Sequence, residues 1–142
     1  MAYNVLLVDD SLPMRSVIKK TIKASGFKVA KLFEASNGRK ALEVLREKRL
    51  DLVLVDYNMP GMNGLELMSE IKKDELLKSI PIIMTTVEGS RRRVKAFMEK
   101  GAADYIKKPF TPEEAREKLC KVMGGMSDEE ESPDTGDEAL DF

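Results

Sequence analysis

The chain has 142 residues, 42% of them hydrophobic and 35% charged. That is the size and balance of one ordinary soluble domain, able to bury about two-thirds of its unfolded surface. It contains no histidine and one cysteine, Cys120, which excludes a catalytic triad, a His-ligated metal or haem, an internal disulfide and a multi-thiolate site. The formal charge of -1 hides an asymmetry: of 25 acids, eight lie in residues 127–142, which have no Lys or Arg, so the rest of the chain sets all 24 basic groups against 17 acids. A basic body therefore precedes an acidic tail. The start, Met-Ala-Tyr-Asn-Val, lacks the basic and apolar regions of a signal peptide, and no apolar run approaches the roughly 20 residues of a membrane span. A reducing cytoplasm is the expected location, with no membrane insertion.

In chain order, two apolar periods alternate. Val5-Leu6-Leu7-Val8 is a short continuous apolar run, as expected of a strand buried on both faces of a parallel sheet. Met14, Val17, Ile18 and Ile22 follow at helical spacing, with Ser11 near the N-cap, Pro13 in the first turn and Gly26 after the last. Val29–Ala35 is a weaker strand, and Ala41, Leu42 and Leu45 mark a second helix. Leu52-Val53-Leu54-Val55 and then Leu65, Met68 and Ile71 repeat the unit, as do Pro81-Ile82-Ile83-Met84 and then Val94, Phe97 and Met98. Tyr105-Ile106 is a short last strand before Thr111, Pro112 and the stripe Ala115, Leu119, Val122. Five β-α units predict an α/β fold: a doubly wound five-stranded parallel sheet with five helices and right-handed crossovers. A boundary near Gly124-Gly125 separates a domain over 1–125 from residues 126–142, whose acidic composition with few apolar residues predicts disorder.

In such a sheet, ligands bind at the carboxyl ends of the strands. The first strand ends in Asp9-Asp10, the third in Asp56, the fourth in Thr85-Thr86, and the fifth runs into Lys107-Lys108-Pro109. Three carboxylates on one rim repel unless a cation neutralises them. Hard oxygen donors in an incomplete set suit Mg²⁺. A nucleotide or flavin site is disfavoured, because the first loop, Asp9-Asp10-Ser11-Leu12, puts two negative charges where a phosphate would meet backbone N–H groups.

Asp9-Asp10, Asp56-Tyr57-Asn58-Met59-Pro60-Gly61-Met62-Asn63-Gly64, Met84-Thr85-Thr86, Gly101-Ala102 and Lys108-Pro109-Phe110 occur in that order. The pattern resembles a response-regulator receiver domain, above all the single-domain chemotaxis regulators of CheY type, over about residues 1–123. The resemblance implies a flavodoxin-like sheet of order 2-1-3-4-5 and a two-component switch that accepts a phosphoryl group from a histidine kinase. It implies Asp56 as phosphoacceptor; Asp10, Asp56 and the backbone carbonyl of Asn58 as Mg²⁺ ligands; and Asp9 as a ligand through water. It further implies Lys108 and Thr86 as phosphoryl-binding groups, a cis bond before Pro109, and Tyr105 as the aromatic that responds to Thr86. Strand alternation sends Thr85 and Thr86 to opposite faces, and the spacing from Asp56 within the family pattern selects Thr86.

Asn58 and Glu88 occupy the family's lifetime-tuning positions. Val87 stands where Ala or Gly is usual, so it is expected to narrow access to Asp56. The expected output face comprises Arg91, Met98, Tyr105, Lys107, Lys118 and Lys121, docking a target such as a flagellar motor protein, with a phosphatase as an additional partner. Nucleic-acid binding is not expected, because Arg91-Arg92-Arg93 with Lys95 open a helix with no interleaved aromatic and read as a solvated or partner-facing surface. The domain is expected to be a monomer. A phosphatase of the haloacid-dehalogenase type is the rival reading; it needs a second acid two residues beyond the nucleophile, where this chain has Asn58. A pseudo-receiver that binds a partner without phosphorylation is a third reading, opposed by the presence of Asp10, Asp56, Thr86 and Lys108.

Overall fold

Successive residues of the first strand diverge to two cores: Val5 and Leu7 join one apolar cluster, Leu6 and Val8 the other. This is the period of two expected of a strand buried on both sides, and it sets the architecture. The computed structural model of the protein describes residues 2–124; the tail, 126–142, falls outside the described residues. The elements are β1 Tyr3–Val8, α1 Leu12–Ser25, β2 Val29–Ala35, α2 Gly38–Glu47, β3 Leu52–Asp56, α3 Gly64–Lys73, β4 Ile82–Thr86, α4 Arg91–Glu99, β5 Asp104–Lys107 and α5 Pro112–Val122. The five strands form one sheet in the order β2-β1-β3-β4-β5, every neighbouring pair parallel.

One core layer joins Leu6, Val53, Val55, Ile82 and Met84 to Ala41 and Leu45 of α2, Leu67, Met68 and Ile71 of α3 and Phe97 of α4. The opposite layer joins Leu7, Leu52, Leu54, Ile83 and Ile106 to Ile18 and Ile22 of α1 and Ala115 and Leu119 of α5. Each fully buried aliphatic or aromatic side chain in these layers contributes roughly 1.5–3 kcal/mol before chain entropy is subtracted.

The helix ends are chemically specified. Ser11, Asn37, Asn63, Ser90 and Thr111 cap the five helices, each side-chain oxygen accepting a backbone N–H of the first turn. Glu66 and Glu114 complete reciprocal capping boxes on α3 and α5, which satisfies amides a helix start otherwise leaves unpaired. Gly26 closes α1 at φ 84°, in the left-handed region that glycine occupies without penalty. The strands extend beyond the apolar runs that reveal them: β1 begins at Tyr3 and β4 ends at Thr86. Chain direction along the sheet reverses beside β1, so β1 and β3 flank the switch point; β1 runs directly into Asp9-Asp10 and β3 ends in Asp56.

Candidate functional site

At that switch point the ligand oxygens of Asp9, Asp10 and Asp56 all lie within 4.8 Å of one another. Asp56 is the last residue of β3 and buried; Asp9 follows β1 and is buried; Asp10 is exposed. The Lys108 Nζ lies between the two buried acids, donating to Asp56 Oδ1 at 2.9 Å and Asp9 Oδ2 at 3.1 Å. Its backbone N–H donates to the Thr86 carbonyl at 2.7 Å, which extends the β4–β5 ladder past Lys107 and fixes where the side chain starts. The Lys108–Pro109 bond is cis.

One ammonium does not balance three carboxylates. Burial pushes the Asp56 carboxyl above its ordinary range; the Lys108 hydrogen bond and charge partly offset this, and the Asp9 charge adds to the push. Burial pulls the Lys108 ammonium down, but Asp56 and Asp9 more than offset this and hold it above its usual value, so it stays charged at neutral pH. An oxygen-rich cluster with excess negative charge and one exposed member fits a hard divalent cation.

Several supports were not visible in the sequence. Arg15 of α1 donates from Nη1 to the Asp9 carbonyl at 2.6 Å and from Nε to Glu34 Oε1 at 2.8 Å, and Lys19 holds the other Glu34 oxygen at 2.8 Å. The Asp9 side chain also accepts the Ser11 N–H at 2.9 Å, and Asp56 accepts the Asn58 N–H at 3.3 Å. Arg15 lies one turn past the cap Ser11, a spacing that aims it back at the end of β1.

The residues singled out from sequence fall as follows. Thr85 and Thr86 are both buried, and alternation continues from Ile83 and Met84, which pack in opposite layers. The Thr86 hydroxyl donates to the Glu88 carbonyl at 3.0 Å and accepts the Glu88 N–H at 3.1 Å, so it is engaged in its own turn. Asn58, Val87 and Glu88 are exposed at the rim, Val87 by 56%. Arg91, Met98, Lys107 and Lys121 are exposed, and Tyr105 and Lys118 are half-buried. Within the arginine run, expected to form a solvated or partner-facing surface, Arg93 also makes contacts inside the domain: its guanidinium lies 4.2 Å from the Tyr57 ring centroid and pairs with Glu88 at 2.9 Å.

Three residues of the expected output face meet at Asp104, which accepts the Tyr105 N–H at 2.8 Å and pairs with Lys118 at 3.1 Å and Lys121 at 3.4 Å. Lys118 also lies 4.3 Å above the Tyr105 ring. Burial pushes the Asp104 carboxyl up, but the Tyr105 N–H and the two lysines more than cancel this, and it titrates below the ordinary range. A depressed native value means that this contribution to stability is present above the unfolded value of 3.8 and is lost as pH falls through the native one. Asp104→Asn is therefore expected to lower unfolding free energy by about 1 kcal/mol at neutral pH. The gap from wild type should shrink in urea titrations as pH falls below 3.8; a gap that widens there contradicts the assignment.

The profile of the response regulator receiver domain family matches residues 5–120. The chain belongs to the response-regulator receiver family. It is a phosphoacceptor switch, a phosphorylation-dependent response regulator of two-component signalling. This receiver is 43% identical over 121 residues to chemotaxis protein CheY1 of Helicobacter pylori, covering 84% of this chain and 96% of that one. It is 39% identical over 119 residues to chemotaxis protein CheY-3 of Vibrio cholerae, covering 84% and 90%. The structure of chemotaxis protein CheY4 of Vibrio cholerae superposes with a TM-score of 0.76 at 32% identity, covering 86% of this receiver and 99% of that chain. No helix among the receiver's described residues is long and apolar enough to cross a membrane.

Proposed function

We propose that Asp56 is the phosphoacceptor of a chemotaxis-type regulator, and the observation that carries this is the convergence of Asp9, Asp10, Asp56 and Lys108 at the switch point. An Asp56 carboxylate oxygen attacks the phosphorus of a kinase phosphohistidine. The P–O bond forms as the P–N bond breaks, and the departing imidazole nitrogen takes up a proton. The Lys108 ammonium, already on Asp56 Oδ1, stabilises the charge that spreads over the phosphoryl oxygens.

Asp10, Asp56 and the Asn58 carbonyl would hold Mg²⁺, with Asp9 acting through water. When bound, Mg²⁺ supplies the positive charge that offsets repulsion between a carboxylate and a phosphoryl group. The catalytic groups belong to the receiver, so it promotes its own phosphorylation by a small donor and its own dephosphorylation. Asn58, Val87 and Glu88 border the route by which water or donor reaches Asp56 and set the lifetime. The Thr86 hydroxyl exchanges its Glu88 partners for the phosphoryl oxygens, and Tyr105 turns inward. That change is read on Arg91, Met98, Tyr105, Lys107, Lys118 and Lys121 by a target protein such as a flagellar motor component, in the cytoplasm. In this reading residues 1–125 are the receiver, and 126–142 are an acidic appendage to it.

Intact-mass measurement after incubation with acetyl phosphate and Mg²⁺ tests the reading. Incorporation that stops at one phosphoryl group per chain and then decays supports it. Continuous turnover of simple phosphomonoesters, or no incorporation with and without Mg²⁺, overturns it.

A further inference from the structure

The loops after β3 and β4 are tied together by Arg93. Its guanidinium Nη2 pairs with Glu88 Oε1 at 2.9 Å, while the guanidinium carbon sits 4.2 Å from the centroid of the Tyr57 ring. Tyr57 directly follows Asp56, and its ring packs at 5.5 Å on Phe97, the fully buried aromatic of α4. Glu88 is in turn the residue whose backbone N–H and carbonyl hold the Thr86 hydroxyl. A continuous chain of contacts therefore runs from Thr86 through Glu88 and Arg93 to the residue beside Asp56. Arg93 itself is anchored, since its backbone N–H donates to the α4 cap Ser90 at 3.2 Å and its side chain is only 26% exposed.

We propose that Arg93 is a positioning residue, a clasp that holds the β4–α4 loop in the arrangement where Thr86 is engaged by Glu88, and that it thereby opposes the switched state. This rests on the reading of Asp56 as phosphoacceptor and Thr86 as its phosphoryl-binding partner. The clasp is present in an arrangement in which Lys108 bonds directly to Asp56 and Thr86 is turned to its own loop. A contact made in one of two states shifts the equilibrium toward that state by its differential free energy. For the Thr86 hydroxyl to donate its one proton to a phosphoryl oxygen, its bond to the Glu88 carbonyl must break. With Glu88 pinned by Arg93, the loop cannot follow the hydroxyl without also giving up the ion pair and the ring contact. A partly exposed ion pair and a cation–π contact are each modest in size, so the clasp tunes switching without blocking it.

The test is the affinity of beryllofluoride, an acyl-phosphate mimic, in saturating Mg²⁺, measured by calorimetry on the full chain for wild type, Arg93→Met, Glu88→Gln and the double variant. Each single variant is expected to bind about threefold to tenfold more tightly than wild type. The double variant is expected to gain nothing beyond the tighter single one, because both remove the same clasp. A role in stability alone would lower the urea midpoint and leave affinity unchanged or weaker. Unchanged or weaker binding by Arg93→Met, or full additivity in the double variant, overturns the clasp while leaving the Asp56 reading intact. Failure of wild type to bind beryllofluoride with Mg²⁺ overturns the Asp56 reading and the clasp with it.

Discussion

Asp56→Asn is expected to weaken Mg²⁺-dependent beryllofluoride binding by at least about a hundredfold, because it removes both the carboxylate oxygen that would bond the mimic and one of three acids that give the cluster its excess negative charge. The same substitution should not unfold the protein. Asp56 has a native pKa above its unfolded value of 3.8, with burial as the main cause, so the native state binds that proton more tightly than the unfolded chain. Its contribution to stability is full below 3.8 and declines as pH rises through the native value. Asparagine removes the decline, and Asp9 remains as a partner for Lys108 at 3.1 Å. At neutral pH the variant is therefore expected to unfold in urea at no lower a concentration than wild type. Titration calorimetry beside urea denaturation separates the two effects. Retained Mg²⁺-dependent binding by a folded Asn variant would place the phosphoryl site elsewhere.

Gly64→Ala is expected to damage fold and site together. A methyl built at Gly64 would lie 2.5 Å from the Asp56 carbonyl oxygen, 2.8 Å from the Tyr57 Cα and 2.8 Å from the Met84 Cε. Met84 can turn away, but the other two atoms are backbone of Asp56 and Tyr57, where β3 ends and its loop begins. The Gly64 N–H also donates to the Tyr57 carbonyl at 3.0 Å, so α3 begins pressed against the β3–α3 loop. The substitution should cost about 2–3 kcal/mol in overpacking, and displacement of Asp56 should reduce its phosphorylation rate by at least about tenfold. Gly61→Ala is the matched comparison: Gly61 has φ +78° with nothing within 4 Å of a new methyl, so only left-handed strain applies, about 1 kcal/mol. Urea midpoints and acetyl phosphate labelling rates on both variants check this. Equal small losses at the two positions would show that the loop yields to the methyl.

The order of elements was legible because each strand is a short apolar run and each helix an apolar stripe, signals that survive without tertiary information. Strand ends were less legible: β1 already includes Asn4, which pairs with Lys31 of β2, but Asn4 adds nothing to the apolar run that opens at Val5. The acids and Lys108 could be read because they stand at strand ends, where chain order alone predicts convergence. The opposite outcome at Arg93 has a physical reason. Three consecutive arginines look alike in sequence, and only the phase of α4 relative to Tyr57 and Glu88 selects the third for these contacts. The same holds for Arg15 on the Asp9 carbonyl, for Asp104 between Lys118 and Lys121, and for Gly64 against Asp56, each a contact between segments distant in the chain or across a loop. Local pattern gives positions on elements. Which long side chain crosses from one element to the next is decided by packing.

The most direct measurement is chemical trapping of the phosphorylated residue. After brief reaction with acetyl phosphate and Mg²⁺, borohydride reduces an acyl phosphate, releasing the phosphoryl group and leaving an alcohol where the aspartyl carboxyl stood. Peptide sequencing by mass spectrometry is expected to find that alcohol at position 56 alone. Its appearance at Asp9 or Asp10, or its absence from Asp56 in protein whose intact mass shows a phosphoryl group, would contradict the assignment of Asp56 as phosphoacceptor.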